Sequence, residues 1–151
     1  MKKEAQNKSY STDQELTSII LEPAGSYFFQ PNDLISITRH GIFKRNLSLL
    51  AEKLSFTMNE ISRVLHVSER TLQRYKDEDR LSSDISERTL MLTNLYERGV
   101  EVFENADNFT DWLRTPLPAF NNQKPIQLLD TSFGFQLILD ELGRIEYGVF
   151  A

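Results

Sequence analysis

Apolar residues recur at three- to four-residue spacing through most of this chain, and glycines, prolines and small polar residues interrupt that rhythm at short intervals. Such a pattern specifies short amphipathic helices that each lay one face on a shared core. Strand-like alternation of any length is absent before the final octapeptide, so the expected fold class is all-α. A chain of 151 residues suffices for one ordinary domain or two small ones, and 40% apolar with 26% charged residues is the balance of a soluble globular protein. No apolar run approaches the roughly 20 residues of a membrane span. The start, Met1-Lys2-Lys3-Glu4, leads into polar residues unlike a secretory signal, and a cytoplasmic protein is expected. With no cysteine, disulfides, thiolate metal sites and cysteine nucleophiles are excluded; with only His40 and His66, so is a histidine-rich metal centre. No cofactor is expected.

Charge is distributed unevenly. The net charge is −5, yet residues 39–80 hold nine Lys and Arg against six Asp and Glu, whereas residues 81–151 hold five against eleven. A basic middle and an acidic end predict two surfaces facing two partners. Residues 1–31 read as a partly flexible arm, with a short helix over Leu16, Ile19, Ile20 and Leu21 and an apolar Tyr27-Phe28-Phe29 patch suited to docking. From Asn32 to Leu54 the spacing predicts two helices divided by Gly41. Two shorter ones follow, Met58 to Leu65 and Glu69 to Lys76, and then a polar hinge over residues 77–83. Beyond it Asp84 is expected to cap a long helix whose face carries Ile85, Leu92, Leu95, Tyr96, Gly99, Val100 and Phe103. Asp107 is expected to cap a helix with Phe109, Trp112 and Leu113, Pro125 to open another, and Asp130-Thr131 to cap a last one ending at Gly143.

The segment Thr57-Met58-Asn59-Glu60 fits a capping box, in which hydroxyl and carboxylate each satisfy a free backbone amide. Ile61, Leu65, Val67, Leu72 and Tyr75 then fall where two helices crossing at a wide angle share a small core, with Ser62 at their close approach. A second start at Ser68 leaves Glu69, Arg70, Thr71, Gln73 and Arg74 toward the outer face. Arginine and glutamine there match guanine and adenine edges in a major groove, so Ser68, Glu69, Arg70, Thr71, Gln73 and Arg74 form the expected DNA-binding set. Residues Ile61 to Tyr75 resemble the helix-turn-helix of Xre/Cro-type repressors. His66 stands where such proteins often carry glycine, at a position that favours positive φ, which histidine tolerates better than most residues.

After Leu81 the chain resembles the toxin-binding domain of the Xre/MbcA/ParS antitoxins, which accompany RES-type toxins in two-gene operons. The resemblance rests on Trp112-Leu113, Pro116-Leu117-Pro118-Ala119-Phe120, Lys124-Pro125, Leu128-Leu129-Asp130-Thr131, Gly134 and Leu142 through Ala151. Asn121-Asn122 replace glycines, and a looser loop is expected there. The resemblance implies an Xre/Cro-like helix-turn-helix domain over residues 32–80, a small helical toxin-binding domain over 81–151, and an antitoxin that inhibits an NAD-consuming RES-domain toxin and autoregulates its operon by binding operator DNA. Trp112, Phe109 and the Leu128-Leu129 pair read as core. Arg144 to Ala151 reads as a tail too apolar at its end to be idle, and Arg144, Glu146, Tyr147, Val149, Phe150 and Ala151 are the expected toxin-binding residues. A homodimer or higher oligomer follows from the DNA side, since one helix-turn-helix offers few contacts. Two rival functions stand beside this one. Glu97, Glu101 and Glu104 fall at the spacing of an acid/base pair, but no nucleophile, metal set or phosphate loop accompanies them, and no enzyme is expected. A stand-alone repressor whose C-terminal half oligomerises or senses a ligand is the other.

Overall fold

Helix boundaries in this protein are set by side chains and backbone carbonyls that satisfy the free amides of each first turn. The computed structural model describes residues 14, 16–21 and 31–148, and the features below concern those residues. Residues 16–21 are helical, and Leu16, Ile19 and Ile20 are buried, as the short-helix reading requires. Tyr27, Phe28 and Phe29 lie outside the described residues. Helix α1 (Pro31–His40) begins on proline and ends at Gly41, whose φ of +85° and close approach to the Leu81 carbonyl oxygen leave no room for a Cβ. Helix α2 (Lys44–Leu54) follows, then α3 (Met58–Leu65) and α4 (Glu69–Arg74), the last two residues shorter than expected. Helix α5 (Ser83–Phe103) is the spine of the molecule; α1, α2 and α3 pack on it, as do α6 (Ala106–Leu113) and α7 (Ser132–Glu146). Two 3-10 turns, Pro118–Phe120 and Pro125–Leu128, connect α6 to α7.

The all-α expectation holds: among the described residues the only strand-like pairings are the isolated bridges Phe43 to Arg80 and Leu117 to Gln123. Buried side chains form one continuous core running from Leu16 through Leu50, Leu72 and Leu95 to Leu142. Helix α4, six residues long, could not persist alone; Leu72, fully buried, ties it to that core. No helix among the described residues is long and apolar enough to cross a membrane.

Several local readings are corrected by long-range pairing. The residues read as a hinge are anchored: the Asp79 and Asp77 carbonyls accept from the Lys44 and Arg45 amides (2.9 and 3.1 Å), and Leu81 N–H donates to Ile42 O (2.8 Å). Those carbonyls replace the side-chain cap that Phe43 cannot give α2. The same pairing fixes where α5 starts, so its cap is Ser82 and not Asp84. Helix α6 is capped by Asn105, which accepts from Asn108 N–H at 2.8 Å, and not by Asp107, because Glu104 turns the chain through a left-handed conformation just before. Gly143 does not end α7; the helix continues to Glu146, whose carboxylate pairs with Arg98 on α5.

Candidate nucleic-acid and partner interfaces

Thr57 and Glu60 close the capping box of α3, with the Glu60 amide donating to Thr57 Oγ1 at 3.1 Å and the Thr57 amide to Glu60 Oε1 at 3.2 Å. His66 ends that helix with φ of +56°, the conformation its position demands. Ser68 then caps α4, its Oγ accepting from Thr71 N–H (3.0 Å) and lying 2.9 Å from Thr71 Oγ1. Ser68 and Thr71 are thus engaged in holding the helix start. Glu69, Arg70, Gln73 and Arg74 are exposed, while Ile61, Ser62, Leu65 and Leu72 are buried and Val67 and Tyr75 half-buried. The division between hidden and outward residues follows the expected one except at Thr71, which was expected toward the outer face and is half-buried.

The structure adds a flank to this face that the sequence reading missed. The guanidiniums of Arg45 and Arg80 both sit over the Phe43 ring, 4.2 and 4.1 Å from its centroid, and Arg80 also donates to the Gly41 carbonyl at 2.8 Å. Stacking on a ring orients a guanidinium at the surface, and arginines of this kind commonly contact phosphate. The aromatic-basic run Phe43-Lys44-Arg45 was the available signal. Arg80 reaches it only through the bridge.

Helix α3 is also bolted to the acidic half. Arg114 donates to the Ser55 carbonyl at 2.8 Å and meets the Glu60 carboxylate at 2.9 Å, Arg88 Nε donates to Val64 O, and the His66 ring nitrogen Nε2 bonds the Asp130 carbonyl oxygen. Partial burial alone would raise the Glu60 carboxyl; hydrogen bonds from Arg114 and Thr57 and the charge of Arg114 outweigh it and hold the group below its ordinary value.

In the acidic half, Trp112 lies against Phe103 and Phe109 with centroids 5.4 and 6.1 Å apart, and Phe109 is fully buried, as the core reading requires. The loop after Phe120 is not loosened by its asparagines. Asn121 and Asn122 both adopt left-handed conformations, φ +55° and +63°, and Asn122 N–H closes on Leu117 O at 2.9 Å. Thr131 caps α7 by accepting from Gly134 N–H at 2.9 Å. That helix buries Phe135, Ile138 and Leu142 and turns Phe133 and Leu137 outward, 85% and 51% exposed. Positions 133, 137, 140 and 144 follow one face toward Tyr147, which is 78% exposed. Phe133 and Leu137 were absent from the expected site, although their offset from the inward set was arithmetically available.

Two residues expected in the tail belong to the helix. Arg144 pairs with Glu141 at 2.9 Å, and Glu146 with Arg98; hydrogen bonding from Arg98 lowers the Glu146 carboxyl below its ordinary value. The tail therefore starts at Tyr147, and Val149, Phe150 and Ala151 lie outside the described residues. Of the three glutamates at acid/base spacing, Glu97 is buried, Glu101 is exposed and pairs with Arg98, and Glu104 forms the end of α5. Among the described residues no three His, Asp or Glu side chains gather as a metal site.

Comparison with known proteins returns two family models that meet inside α5. Residues 33–94 match the antitoxin Xre-like helix-turn-helix domain, and residues 98–148 match the antitoxin Xre/MbcA/ParS C-terminal toxin-binding domain. The chain is 30% identical over 135 residues to the Prs ADP-ribosylating antitoxin of a Sphingobium species, covering 83% of this chain and 85% of that protein. It is 30% identical over 94 residues to antitoxin Xre of Yersinia enterocolitica (61% and 64%) and 24% identical over 97 residues to antitoxin Xre of Photorhabdus laumondii (63% and 66%).

Proposed function

This chain belongs to the Xre/MbcA/ParS antitoxins, and on that footing we propose that it neutralises a RES-type, NAD-consuming toxin with residues 81–151 and represses its own operon with the helix-turn-helix of residues 32–80. The observation that carries this reading is a pair of surfaces on one continuous core that are exposed among the described residues: the Arg70, Gln73 and Arg74 face of α4, and the Phe133, Leu137 and Tyr147 line along α7. A phenylalanine left 85% exposed beside a half-exposed leucine makes an apolar, aromatic patch of the kind found at protein-binding surfaces. The toxin docks on that line, with Arg144 and Glu146 at its edge, and the tail from Tyr147 through Val149, Phe150 and Ala151 enters the toxin's dinucleotide pocket. Inhibition is then by occupation, competitive with NAD, and needs no turnover by the antitoxin. On the other side Arg70, Gln73 and Arg74 read base edges in the cytoplasm while Ser68, Glu69 and Thr71 set the start of the reading helix. A six-residue helix makes few contacts, so two copies bind a pseudo-palindrome.

Co-expression with the neighbouring toxin and gel retardation on the DNA upstream of the operon separate the two activities. Phe133→Ala with Leu137→Ala is expected to abolish neutralisation and keep operator retention. Arg70→Ala with Arg74→Ala is expected to do the reverse: at roughly 1–3 kcal/mol per base contact the pair weakens retention about a hundredfold or more, and the wild-type retarded species carries two chains. Neutralisation untouched by the first pair refutes the docking line, and operator retention untouched by the second places DNA elsewhere.

A further inference from the structure

Between α3 and the loops carrying the two 3-10 turns lies a cleft of about 420 Å3, within the size range of small-molecule sites. Its charged groups come from both sides. Arg63 on α3 and Lys124 on the opposite loop both line it, both are exposed, and neither has an anionic partner among the described residues. Arg114 and Glu60 also line the cleft but are taken by each other, by the Ser55 carbonyl and by the Thr57 cap. An anion bound in the cleft is attracted by both cations.

The cleft is not a plain anion site, because Asp130 lines it too and its exposed carboxylate has no cationic partner among the described residues. A carboxylate repels a bare phosphate and accepts from hydroxyls. Val64 and Ile126 supply apolar wall, and Gln123 an amide that donates and accepts. Complementarity therefore demands one ligand with a phosphate for Arg63 and Lys124, a diol for Asp130, and a flat, partly apolar group for the wall. We propose that this cleft binds a nucleoside monophosphate. Its occupancy joins α3 of the DNA-reading half to the loop that leads into α7, on a site separate from the two surfaces assigned above.

The test is calorimetric titration of the full chain with AMP, adenosine and inorganic phosphate, with thermal unfolding in parallel. AMP is expected to saturate, to bind at least tenfold tighter than either adenosine or phosphate, and to raise the melting temperature by an amount that grows with its concentration. Arg63→Glu and Lys124→Glu, both at exposed positions, each weaken AMP tenfold or more. Lys76→Glu, an exposed charge reversal outside the cleft, leaves AMP binding unchanged. Failure of AMP to saturate, equal affinity for phosphate alone, or indifference to both reversals overturns the proposal. So does loss of duplex DNA retention in Lys124→Glu without any AMP binding, which gives the cleft to the DNA backbone.

Discussion

Gly99 and Gly143 allow one substitution to be made twice in helical backbone with opposite consequences. Replacing an interior helical glycine by alanine gains about 1 kcal/mol from backbone entropy and propensity. At Gly143 a Cβ meets nothing within 4 Å, so that gain is nearly undiluted. With about 2–4 °C per kcal/mol for a chain of this size, Gly143→Ala is expected to raise the melting temperature by about 2–4 °C. At Gly99 the same Cβ runs into three atoms of the Phe109 ring, and that ring is fully buried in a three-ring cluster, its centroid 6.1 Å from those of both Phe103 and Trp112. Overpacking a site of this kind costs roughly 1–3 kcal/mol, and a clash along a ring backed by two others belongs at the upper end. After the propensity gain, Gly99→Ala is destabilised by about 1–2 kcal/mol and melts about 2–8 °C lower. Circular dichroism gives the midpoints, urea titration gives the free energies at unchanged m-value, and Trp112 fluorescence reports displacement of the aromatic stack. Equal stabilisation by both substitutions refutes the packing assigned to Gly99. Loss of stability in Gly143→Ala refutes the continuation of α7 through that residue.

Two further outcomes follow from the ion pairs. The Glu60 carboxyl is lowered in the folded state, so its contribution is fully present above its ordinary value of 4.5 and is lost as pH falls through the folded value; Arg114→Gln, costing about 1 kcal/mol at neutral pH, is expected to flatten the acid limb of stability, and urea midpoints from pH 6 to 3 that fall as steeply as in wild type count against the clamp. Deleting residues 147–151 leaves Glu146 and its Arg98 partner in place, and is expected to abolish neutralisation while toxin still co-purifies through the α7 face; undiminished neutralisation rejects the tail as the plug.

What the sequence determined by itself was local: the Thr57-Glu60 box, the Ser68 and Thr131 caps, the turns at Gly41 and His66, and the inward faces of α5 and α7 all depend on partners within a few residues or on helical period. The antitoxin family was legible for the same reason, since its spacing lies in contiguous stretches. Tertiary structure alone decided matters where two local solutions were nearly equal. Ser82 prevails over Asp84 because Leu81 is pinned to Ile42, and α7 runs past Gly143 to a carboxylate that Arg98 holds from another helix. The Arg45-Phe43-Arg80 stack, the Arg114 clamp and the cleft beside α3 join residues up to 70 positions apart. No periodicity encodes such pairs. They exist because burying one core brings these surfaces within hydrogen-bonding distance, and the free energy of that burial, not a local preference, selects which side chains meet.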